Sequence, residues 1–160
     1  MAGIPEKRQP GGIGGWLVVF AIGLALTPMR RLVKMILVFG PIHGETWAAL
    51  TTPGSPDYAG HWRPLLLSEF AADVALLAWP LVVIHLFLTR RRALVPVAIG
   101  YMVVSLGVAI ADLTAVQLVV GAQAAADRNS VWPIALEFLS ACVWIPYLLK
   151  SRRVKATFLN

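Results

Sequence analysis

"PLLLSEFAADVALLAWPLVVIHLFL" (Pro64–Leu88) runs for 25 residues with two carboxylates, one histidine and no lysine or arginine. As a helix rising about 1.5 Å per residue it extends about 37 Å, longer than the roughly 30 Å of hydrocarbon in a bilayer. The stretch reads as a membrane span, and the rest of the chain follows suit. Of 160 residues, 58% are hydrophobic and 14% charged, against roughly 25% charged in a soluble domain. The charges crowd into short segments. Three further apolar segments cover about residues 13–39, 93–120 and 131–149. Between the four lie a polar, Gly/Pro-rich outer loop over 40–63, the turn "TRRR" (Thr89–Arg92) and the short loop "GAQAAADRNS" (Gly121–Ser130). This pattern predicts an all-α polytopic membrane protein, a bundle of four transmembrane helices in a single domain, ending in a tail over 150–160. No internal repeat and no soluble domain interrupts it.

The N-terminus imitates a signal peptide, with Lys7 and Arg8 ahead of "WLVVFAIGLAL". Pro28-Met29-Arg30-Arg31 follows where a small-residue cleavage site would be expected, so the segment reads as an uncleaved first span. With both termini inside, Lys7, Arg8, Arg90, Arg91, Arg92, Lys150, Arg152, Arg153 and Lys155 face the cytoplasm, against Arg30, Arg31, Lys34, Arg63 and Arg128 outside. Nine basic residues against five favour that orientation. Trp16, Trp144 and Tyr147 then sit at the inner interface, where an apolar ring with one polar atom is favoured. The formal net charge of +6 thus marks membrane orientation and not nucleic-acid binding. Cys142, the one cysteine, cannot form an intrachain disulfide and reads as a small apolar residue.

Charges at membrane depth are the next signal. "LTPMRRLVKMILVF" places Arg30, Arg31 and Lys34 where a plain span should end. Either the span stops at Pro28 and residues 29–39 lie on the outer surface as an amphipathic helix, or the helix continues with its basic side chains snorkelling outwards. The remaining spans carry Glu69, Asp73, Asp112 and Glu137. At about 1.5 Å per residue from the inner end of each span, these lie at about 30, 24, 28 and 20 Å, and the two arginines at about 26 Å. Charges in hydrocarbon cost roughly 2.5–3.5 kcal/mol each, so groups at similar depth are expected to partner one another. The expectation is a polar cluster of Arg30, Arg31, Lys34, Glu69, Asp73, Asp112 and Glu137 in the outer half of the membrane. The plainer alternative leaves Glu69 and the three cations solvated at the interface.

Other motifs carry less. "GGIGG" (Gly11–Gly15) lacks the strand and lysine of a phosphate loop and reads as a close-packing or flexible approach to the first span. His43 and His61, near Glu45 and Asp57 in the outer loop, lack metal-ligand spacing, and His85 reads as interfacial. Ser68, Ser105 and Ser140 have no nucleophile elbow and no neighbouring histidine. No enzyme, cofactor or metal is expected.

The chain's two ends are more specific. "GIGGWLVVFAIGLALTPMRRL" (Gly12–Leu32) and "WIPYLLKSRRVKATF" (Trp144–Phe158) resemble the signature ends of the bacterial domain-of-unknown-function 2569 family of small inner-membrane proteins. The resemblance implies a four-helix layout and a bacterial inner-membrane location, and it supplies no catalytic residues. It also implies that Ser151, Arg152, Arg153, Thr157 and Phe158 do more than fix orientation. From composition alone, Tyr147, Lys150, Arg152, Arg153 and Lys155 form a cytoplasmic surface facing anionic lipid headgroups or a partner. The expected function is that of an accessory subunit or modulator of a membrane assembly, with a membrane-protein partner or a homo-oligomer. The alternative is a small transporter or channel using Asp73, Asp112 and Glu137 for a solute or proton.

Overall fold

The computed structural model describes residues 14–56, 58, 60–120 and 128–158. Among the described residues six helices form and there is no strand: α1 (Trp16–Phe39), α2 (Glu45–Thr51), α3 (Trp62–Leu88), α4 (Leu94–Val120), α5 (Arg128–Lys150) and α6 (Arg152–Phe158). Four of them, α1, α3, α4 and α5, are long and apolar enough to cross a membrane. The chain is an all-α polytopic protein. The long helices neighbour one another in the order α1–α3–α4–α5.

Helix α1 takes the second of the two paths open to residues 29–39: it runs unbroken through Pro28 to Phe39. Proline removes one i→i−4 donor, a local loss, and the turn before it is braced by Thr27, whose hydroxyl donates to the Gly23 carbonyl at 2.8 Å. Arg31 and Lys34 find carboxylates on α3, which holds the second half of the helix against the bundle and away from the surface.

Two expected loops are corrected. The outer loop contains α2, which begins after Gly44 at φ 54° with Glu45 in its first turn, where a carboxylate suits the helix dipole. The short loop was expected to reach Ser130, but α5 starts at Arg128; those three residues bear no apolar pattern that would mark a helix. Residues 121–127 lie outside the described residues, as do Lys7, Arg8, Asp57 and Gly11, Gly12 and Ile13 of "GGIGG".

The "TRRR" turn forms tightly for a visible reason. Arg90 N–H donates to Phe87 and Arg91 N–H to Leu86, the paired bonds of a Schellman cap. Arg90 itself takes φ 50°, a position usually given to glycine.

Side chains divide the bundle into two storeys. At the end bearing that turn, Leu17, Phe20, Leu24, Val83, Phe87, Leu94, Val95, Ala98 and Leu148 make a buried apolar core. The tail completes it. Val154 and Phe158 of α6 are 0% and 1% exposed, and the Phe158 ring stacks on Phe87 with centroids 5.5 Å apart. The segment 152–158 is therefore folded onto the core and not a free tail. A composition reading sees its cations, while Val154 and Phe158, four apart on one helical face, decide where it goes. Trp79 of α3 ties this storey to α4, its Nε1 donating to the Val97 carbonyl at 3.2 Å.

Candidate functional site

Above the apolar storey the inward faces turn polar. Arg31 on α1 reaches across the bundle. Its Nη1 donates to Asp73 Oδ1 on α3 at 3.1 Å, and its Nη2 donates to Ser105 on α4 and to Glu137 Oε1 on α5 at 3.2 Å. The Ser105 hydroxyl in turn donates to Glu137 Oε2 at 2.9 Å. One guanidinium thus joins all four spans, which its planar fork of five donors suits better than an ammonium would. Tyr101, one turn before Ser105 on α4, lies beside the same guanidinium and packs edge-on against Trp79 at 6.2 Å.

A second tier sits one turn further out. Lys34 Nζ donates to Asp73 Oδ2 at 3.0 Å and Glu69 Oε1 at 3.5 Å. Asp112 lies within Coulombic range of Lys34 and Glu69 but makes no hydrogen bond among the described residues. Helical spacing explains both tiers. Arg31 and Lys34 are i, i+3 on α1, Glu69 and Asp73 are i, i+4 on α3, and Ser105 and Asp112 are i, i+7 on α4, so each set shares one face.

Burial grades the groups. The Asp73 side chain is 3% exposed, Arg31 12%, Glu137 32% and Lys34 42%. Asp73 holds two cations at once, the pairing that a buried carboxylate calls for. Lys34 and Glu137 reach toward the bundle's outside.

Of the seven residues expected to cluster, the structure brings together Arg31, Lys34, Glu69, Asp73 and Glu137, with Asp112 beside them. Arg30 does not join: it is exposed and makes no ion pair among the described residues. Ser105 and Tyr101 are members the sequence reading passed over. Their signal was present, since residues 101, 105 and 112 recur at helical spacing on an otherwise apolar span. Among the described residues no group of three or more His, Cys, Asp and Glu side chains could hold a metal ion; His43, His61 and His85 are exposed.

At the opposite end, the two stretches that define the chain's ends meet. Ser151 starts α6, its hydroxyl accepting from the Val154 N–H. Arg153 lies over Gly14 and Gly15: a Cβ at those positions would stand 2.7 and 3.2 Å from its Nη1. The glycines make room for the guanidinium, and Gly15 also takes φ 57°. Trp16, Phe20, Trp144 and Tyr147 form a chain of aromatic contacts at 5.3–6.3 Å between α1 and α5. Tyr147 is partly buried in it, while Lys150, Arg152 and Lys155 are exposed.

Compared with known proteins, residues 10–159 match the family described as protein of unknown function (DUF2569). No curated protein and no solved structure matches the chain.

Proposed function

The chain belongs to the DUF2569 family, and from that premise we propose that it serves as an accessory subunit or modulator of a larger membrane assembly and not as an enzyme. The observation that carries this reading is the use Arg31 makes of its donors: they are engaged by Asp73, Ser105 and Glu137 on three other helices. A clamp of this kind holds spans in place, and it leaves the outward faces, rich in Val, Leu, Ile and Phe, as the surfaces open to lipid and to other spans. The location is the bacterial inner membrane with both termini cytoplasmic. Arg90, Arg91, Arg92, Lys150, Arg152, Arg153 and Lys155 gather at one end of the bundle, where no described carboxylate accompanies them, in accord with the positive-inside rule.

Photo-crosslinking in native membranes from exposed positions on α5, such as Leu136 and Leu139, tests the reading. The expected result is an adduct with one partner span, in fixed ratio, that survives mild detergent. Adducts with lipid alone from every face would overturn it.

A second reading, solute or proton transport, is favoured by one count. Four carboxylates, Glu69, Asp73, Asp112 and Glu137, face two cations, Arg31 and Lys34, and Asp112 has no hydrogen-bond partner among the described residues. Flux through proteoliposomes of the isolated protein, abolished by Asp112→Asn, would establish it.

A further inference from the structure

We infer that the groove between α1 and α5 at the basic end seats one anionic phospholipid, its acyl chain against the aromatic residues and its phosphate on Arg153. The inference deepens the placement of the basic end in a headgroup layer, and it rests on that placement.

Three observations converge on it. The groove, about 200 Å³ in volume and lined by Trp16, Val143, Trp144 and Tyr147, is shallow, apolar and open to the side, the shape of a site for a chain and not for a compact solute. Trp16 is 65% exposed and Val143 50% exposed, so the wall lies uncovered where α1 and α5 touch through side chains. Second, the mouth is cationic. Arg153 is held next to Gly15, the residue before Trp16, and makes no ion pair among the described residues. Lys150 lies three residues beyond Tyr147 on the same face of α5. Third, no described carboxylate occupies this end of the bundle, so cations dominate its charge among the described residues. An anionic phospholipid supplies both parts, an acyl chain for the rings and a phosphate whose two non-bridging oxygens match a guanidinium fork. A zwitterionic lipid brings its own cation to the same place and gains less.

The test uses the full chain in mixed micelles of phosphatidylglycerol and phosphatidylcholine, with retained lipid counted by native mass spectrometry. One phosphatidylglycerol is expected per chain, in preference to phosphatidylcholine. Arg153→Gln should reduce that preference about fivefold, the effect of one surface cation on anionic lipid. Arg153→Lys should retain most of it, which separates lost charge from a displaced α6. Trp144→Leu should lower occupancy by both lipids while sparing the preference. Neutralising Arg91 and Arg92, at the same end but on the α3–α4 turn, should leave the adduct in place. If Arg153→Gln keeps the full preference, or the Arg91/Arg92 variant loses as much, the site is absent and only a diffuse basic surface remains. Unchanged occupancy in Trp144→Leu would likewise remove the groove from the account. If the unaltered chain shows no preference for the anionic lipid, the headgroup placement fails as well.

Discussion

Single residues in this chain are legible where chemistry forces a partner and opaque where geometry does. Arg31, Asp73 and Glu137 could be expected to meet because each sits too deep to stand alone. Which of two adjacent arginines turns inward could not be read from spacing: Arg30 and Lys34 are four apart, yet it is Arg31 that enters the bundle, because α1 presents the 31/34 face to α3. Arg90 is opaque in another way. Its φ of 50° costs an L-residue about 1 kcal/mol that glycine would not incur. Arg90→Gly is expected to raise stability by about 0.5–1 kcal/mol, measured by thermal unfolding in detergent; a loss would mean that its side chain has a partner. Thr157 presents the opposite case. Its hydroxyl is buried without a hydrogen bond among the described residues, and an orphan of this sort costs about 1–3 kcal/mol. Thr157→Val keeps the shape and should be neutral or stabilising by about 1 kcal/mol in the same assay; clear destabilisation would show that the hydroxyl is in use.

Among the elements, α6 changes most between sequence and structure. The four-span layout follows from length and apolarity alone, since a bilayer admits few other solutions. The tail does not, because a seven-residue helix has no propensity signal strong enough to stand by itself. Its two buried residues define its place. Phe158→Ala empties a site against Phe87 and is expected to cost about 3 kcal/mol, seen as a lower unfolding midpoint. Replacing exposed Lys150, Arg152 and Lys155 with Gln should change stability by less than about 0.5 kcal/mol. If the two sets of variants were equally costly, the tail would be acting through charge and not through packing. The same logic explains the paired family stretches at the two ends: Gly14 and Gly15 are small because Arg153 lies on them, a contact across the whole length of the sequence that no local pattern announces.

The molecule as a whole is a bundle with an apolar storey at its basic end and an ionic storey above it. The two are joined by α3 and α4 through the Trp79–Tyr101 contact, and Tyr101 in turn borders Arg31. Helices in lipid lack the hydrophobic drive that gathers them in water, so shared ion pairs and close aromatic contacts have a larger part in keeping four spans together. The accessory reading depends on this division: a rigid interior, with the outward faces left for partners. Removing the centre of the ionic storey tests it most directly. Arg31→Met leaves Asp73 and Glu137 without their shared donor and should destabilise the bundle by about 3 kcal/mol, whereas Arg31→Met combined with Asp73→Leu and Glu137→Leu should regain most of that loss, because no carboxylate is then left without its guanidinium while Lys34 keeps Glu69. Thermal unfolding of the two variants beside the unaltered chain is the measurement. A steep fall in the first and recovery in the second is the expected result; an unperturbed midpoint for Arg31→Met alone would contradict the clamp.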